Sequence, residues 1–159
     1  MKKTILTILL CGVMVLGMTG CGKQKNEFDI GNKSDIKISQ NDVIMTIKEG
    51  TLTNKSATLV LTNNSDKNFQ YGNPYEIEIK KDGEWHKINV ELNFTMPAFQ
   101  LSARENKEIE INWENGYGKL AKGTYRIIKG IDYEYEEGKY KSFNICLLYT
   151  SPSPRDRQK

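Results

Sequence analysis

The chain has 159 residues, with 23 basic and 20 acidic side chains, one histidine and three cysteines, and these counts exclude several function classes. His86 alone cannot build a multi-histidine metal site, Cys11, Cys21 and Cys146 are too few and too scattered for a disulfide framework, and a balance so near neutrality offers no basic field to nucleic acid. None of the usual nucleophile or phosphate-loop motifs occurs, so no catalytic residue, cofactor or metal ligand is expected.

The N-terminus reads as a secretory signal. Lys2 and Lys3 form a positive n-region, Thr4 to Val15 carry no charge and are almost wholly apolar, and Leu16-Gly17-Met18-Thr19-Gly20-Cys21 closes the segment with small residues before a cysteine. The apolar run is too short for a spanning helix of about 20 residues. It resembles the lipobox of bacterial lipoproteins, with Met18 where leucine is commoner. That resemblance implies a signal peptide over 1–20, cleavage after Gly20 and a diacylglyceryl group on the Cys21 sulfur. The mature chain would then sit on the extracytoplasmic face of the cell membrane, held there by its lipid.

Gly22 to Asp42 is rich in Lys, Asn, Gln, Ser and Asp and poor in apolar residues, so 21–42 is expected to be a lipidated flexible tether. At the other end, Cys146 to Asp156 resembles a reading frame through a sequencing adapter. Residues 146–159 are therefore expected to be an artefactual tail and are set aside. Between Cys21 and Ile145 the basic and acidic residues nearly cancel, leaving a net charge of about −1.

The remaining stretch, 43–145, has the size of one small domain and alternates with period two, the signature of half-buried strands. Val43, Met45 and Ile47 share one face, and Leu59 and Leu61 do the same, with Glu49-Gly50 and Thr53-Asn54-Lys55 as turns. Asn63-Asn64-Ser65-Asp66-Lys67 breaks the pattern before Phe69 and Tyr71. Asp82-Gly83 is a strong two-residue hairpin turn, and counting outward pairs Lys81 with Glu84, Ile79 with His86 and Glu78 with Lys87, the last an expected cross-strand ion pair. This register puts His86 on the inner face and Trp85 on the outer one.

Ile109, Ile111 and Trp113 form a further strand with an acidic solvent face. Leu120-Ala121-Lys122-Gly123-Thr124-Tyr125 resembles the tyrosine corner of immunoglobulin-like sandwiches, with Tyr125 in the structural role. Ile127 stands where an antibody domain carries its second cysteine. A last hairpin turns at Glu136-Glu137-Gly138, with Gly138 left-handed, pairing Tyr133 with Lys141 and Ile131 with Phe143.

Taken together, Leu61 to Asp66, Tyr75 to Trp85 and Leu120 to Ile127 resemble the Ig-like domain of bacterial lipoproteins from low-GC Gram-positive organisms. The resemblance implies an all-β, immunoglobulin-like antiparallel sandwich of about seven strands and a non-catalytic binding or spacer module at the outer cell surface. The same hairpin and strand motifs are similar to the BsuPI-type proteinase-inhibitor domain, which implies the alternative of a protease-inhibitor-like binder. Tyr133, Tyr135 and Tyr140 crowd one turn and are the expected partner-binding residues, since tyrosine offers large contact area at low entropic cost. The expected partner is a protein or cell-envelope ligand.

Overall fold

A computed structural model describes residues 29–39 and 42–151. Its strands, in chain order, are β1 (Asp29–Lys33), β2 (Val43–Ile47), β3 (Ser56–Asn63), β4 (Phe69–Tyr71), β5 (Glu76–Lys81), β6 (Glu84–Asn89), β7 (Phe99–Leu101), β8 (Asn106–Asn112), β9 (Gly123–Glu136) and β10 (Lys139–Ser151), with a single helical turn, α1 (Glu114–Tyr117), before β9. The fold is an all-β sandwich of the immunoglobulin type. One sheet is β2-β3-β8; the other runs β1-β6-β5 onto the first half of β9, β7-β4 onto its second half, and β10 along its opposite side. Ten strands replace the expected seven or so because β1, β4 and β7 extend the second sheet.

The period-two reading is visible in the core. Leu59 and Leu61 of β3, Ile77 and Ile79 of β5, and Tyr125, Ile127 and Ile131 of β9 turn inward and are all but fully buried. The Asp82-Gly83 turn has positive φ at both residues, 51° and 85°, and the β5–β6 register runs Lys81↔Glu84, Ile79↔His86 and Glu78↔Lys87. At the last hairpin Lys141 pairs with Tyr133 and Phe143 with Ile131, and a register shift falls between Lys139 and Tyr140 beside the left-handed Gly138. Buried Asn63 ties two loops together: its Nδ2 donates to Lys67 O (2.7 Å) and Ser102 O (2.8 Å), and its Oδ1 accepts from both the backbone N–H and the hydroxyl of Ser65.

Two expectations need correction. The tether does not extend to residue 42, because Asp29–Lys33 pairs antiparallel with β6 and the chain then straps across the outer face of the sheet. Ser34 N donates to Trp85 O (2.8 Å), Asp35 pairs with Lys87 (3.0 Å), and Ser39 N donates to Asn144 O (2.9 Å). Backbone pairing, not apolar composition, holds this segment. The β9–β10 ladder runs on past Ile145. β10 continues to Ser151, with Tyr149 buried opposite Tyr125, because alternation of Leu147, Leu148 and Tyr149 with the strand's pleat supplies an inward face. Second, Glu78 lies opposite Lys87 without pairing with it; the carboxylate turns to Arg126, and Lys87 is taken by Asp35.

Candidate functional site

Cys21 lies outside the described residues. Tyr125 is fully buried where β9 begins. Its hydroxyl donates to Ala121 O over 3.0 Å, closing the turn that launches the strand, and burial pushes the phenol up to about 12. The ring stacks on Tyr149 at 5.5 Å between centroids. Any added Cβ at Gly123 would approach the Tyr125 ring to 3.1 Å, so the glycine makes room for the corner.

Tyr133, Tyr135 and Tyr140 do not form one cluster. Tyr133 is half-buried and packs on Phe69 with ring centroids 5.6 Å apart, and the Lys67 ammonium lies 4.8 Å from its ring. Tyr135 and Tyr140 are 57% and 49% exposed, so only these two offer free contact surface. The acidic groups of the same turn are engaged locally: Glu134 accepts from Gly138 N (2.8 Å) and Glu136 pairs with Lys139 (2.7 Å).

The sequence reading did not foresee the burial of three charged residues. Glu78 and Arg126 face each other across β5 and β9 on the outer face, both buried beneath the 34–39 strap, with Arg126 Nε donating to Glu78 Oε2 at 2.6 Å. The Arg126 guanidinium lies 4.8 Å from the Trp85 ring centroid and its Nη2 reaches Ser34 Oγ (3.3 Å), which explains why an outward tryptophan is tolerated: Arg126 and Lys80 cover it. Lys129 shares the inward face of β9 with Ile127 and Ile131. Between β4 and β5 the chain departs from the β9 ladder, and Lys129 Nζ donates to the two carbonyls left there, Gly72 O (2.5 Å) and Pro74 O (3.3 Å). Burial lowers its pKa to about 8. The signal for Lys129 was its parity with two buried isoleucines; Glu78 shares its face with Glu76 and Lys80 and gave no such sign.

The chemistry available is limited. A groove of about 420 Å³ runs past Tyr75, Leu92, Phe94 and Tyr117, but the tyrosine hydroxyls are engaged within the fold: Tyr75 donates to Asn112 O (3.0 Å), and Tyr117 accepts from Ile77 N (2.9 Å). His86 Nδ1 lies 3.2 Å from Gly31 O at the β1–β6 seam. Among the described residues no three His, Cys, Asp or Glu side chains gather to hold a metal.

The family described as bacterial Ig-like domain matches residues 39–142, most of the described chain. No curated protein and no solved structure matches. The two-sheet strand order, the Tyr125–Ala121 turn and this match converge: the chain belongs to the bacterial Ig-like domain family.

Proposed function

We propose that this chain is a non-catalytic Ig-like module held by lipid at the extracytoplasmic face of the cell membrane, where it binds or spaces a protein or envelope component. Membership of an Ig-like family favours recognition or spacing over chemistry, and the engaged polar groups of the groove agree with that. The observation that carries the anchoring is the Leu16–Cys21 run, with small residues before a cysteine at the end of a charged-then-apolar segment. Two acyl chains matter, because a single chain gives only marginal, reversible binding.

Metabolic labelling with a radioactive fatty acid, followed by membrane fractionation, tests it. Label should enter the wild-type chain and be lost in Cys21→Ala, with the variant either released or retained unprocessed. A Cys21→Ala protein that keeps its label and sediments like wild type overturns the reading.

A further inference from the structure

We propose that the outward face of β7, β4, β9 and the start of β10 binds a neutral glycan chain bearing acetamido groups. The inference deepens the binding reading above by naming a ligand class, and it rests on that reading and not on the lipid anchor. Direct pairing puts four side chains in one row across these strands: Gln100 opposite Gln70, Gln70 opposite Asp132, and Asp132 opposite Ser142. Three strand spacings of about 4.8 Å make the row about 14 Å long. The strap crosses the other half of this face and meets β10 at Asn144, which leaves Gln100 and Ser142 exposed and Gln70 and Asp132 half-buried.

Little of the row's hydrogen-bonding capacity is used within the fold. Ser142 Oγ donates to Asp132 Oδ1 (2.6 Å), and among the described residues neither glutamine side chain has a hydrogen-bond partner. Each glutamine amide offers N–H donors beside a carbonyl acceptor, the reciprocal of an acetamido group, and the other Asp132 oxygen can accept from a sugar hydroxyl. Glu134, two residues along β9 on the same face, adds a second carboxylate, while Lys67, which lines the adjoining hollow, lies over the Tyr133 ring. That balance turns away a polyanion and admits a neutral chain. No large apolar side chain stands in the row to anchor a protein interface.

The surface relief fits a chain lying across the row. Hollows of about 260 Å³ and 390 Å³ meet at Gln70, the first walled by Met96 and Pro97, the second by Gln100 and Glu134. Gly130 lines the first from inside β9. Its φ is not positive, and an added Cβ would meet only Asn144 Oδ1, at 3.9 Å, so neither a turn nor packing demands a glycine there. Glycine weakens a strand interior and marks places where a ligand approaches the backbone closely. Beyond the row Tyr140, 49% exposed and opposite Glu134, supplies a ring against which the C–H face of a sugar can lie.

An NMR titration of the isotope-labelled chain, as the cell processes it and in detergent solution, with chitohexaose tests the proposal. The side-chain amide signals of Gln70 and Gln100 should shift together with the backbone signal of Gly130, and cellohexaose, which lacks acetamido groups, should bind about tenfold more weakly. Gly130→Val should abolish the glutamine shifts while the melting temperature holds or rises, and Gln70→Ala should weaken binding about tenfold. No shift of these signals at about 10 mM chitohexaose, where a millimolar site would be filled, overturns the proposal. So does equal binding of cellohexaose, or a folded Gly130→Val or Gln70→Ala variant that binds like wild type. A chain that passes the Cys21 labelling test and fails this titration keeps its anchor and loses only the ligand assigned to it.

Discussion

Glu78 and Arg126 face each other across two neighbouring strands on a surface that the 34–39 strap converts into interior, and their exposure falls to 0% and 7%. Only one carboxylate oxygen is satisfied. Glu78 Oε2 takes the guanidinium, while Oε1 has no hydrogen-bond partner among the described residues. A pair of this kind is expensive to break and of modest net value when intact.

Truncating one partner should therefore be worse than removing both. Glu78→Ala or Arg126→Ala is expected to destabilise by about 3–5 kcal/mol, whereas Glu78→Met combined with Arg126→Met should recover much of that loss. Urea unfolding of the three variants measures it. A double variant no better than either single one would show that the ion pair itself, and not the uncompensated charge, dominates.

How much of this was written plainly in the chain depends on which force holds each part. Alternation fixed the inward residues of β3, β5 and β9, because a half-buried sheet needs apolar side chains at every second position; Asp82-Gly83 and Gly138 announced their turns through positive φ. The strap was concealed, since backbone pairing to β6 and β10 holds residues whose composition is polar. Ile36 and Ile38, alternating with Asp35 and Lys37, were the faint sign of it. Glu78 was illegible for another reason, since a segment distant in sequence covers it, whereas Lys129 showed its parity with Ile127 and Ile131 but not its partners, the carbonyls freed by an interruption between β4 and β5 that only the pairing of β9 reveals. The tyrosines of the last hairpin crowd together in sequence, yet depth separates Tyr133 from the other two.

That separation predicts a divided response to alanine. Tyr133→Ala should cost about 2 kcal/mol, because it removes a half-buried ring from Phe69. Tyr135→Ala and Tyr140→Ala, changing exposed rings, should each stay within about 0.5 kcal/mol. Thermal melts distinguish them, and a large loss at Tyr135 or Tyr140 would assign those rings to the fold.

Lys129 and the buried tyrosines should shape stability at high pH. Burial lowers the folded-state pKa of Lys129 from 10.5 to about 8. Between those two values the unfolded chain binds more protons, so stability should rise with pH through this window, by at most about 3 kcal/mol. Tyr75 and Tyr125 are raised to about 12, so above about pH 10 the unfolded chain releases protons that the folded one keeps and stability should fall. Lys129→Met should abolish the rise between pH 8 and 10 and leave the later fall. A wild-type stability that is flat across that window would contradict the assignment to Lys129.

Two stacked tyrosines should respond to loss of a hydroxyl with opposite signs. Tyr125 and Tyr149 lie 5.5 Å apart, but the Tyr125 hydroxyl donates to Ala121 O while the Tyr149 hydroxyl is buried with no hydrogen-bond partner among the described residues. Tyr125→Phe removes a made bond and strands a carbonyl, for an expected loss of about 0.5–1.5 kcal/mol. Tyr149→Phe removes an unmet desolvation cost and should be neutral or stabilising by up to about 1 kcal/mol. Paired chemical denaturation of the two variants decides the matter: equal destabilisation would mean that Tyr149 has a partner of its own and belongs to the sandwich as fully as Tyr125 does.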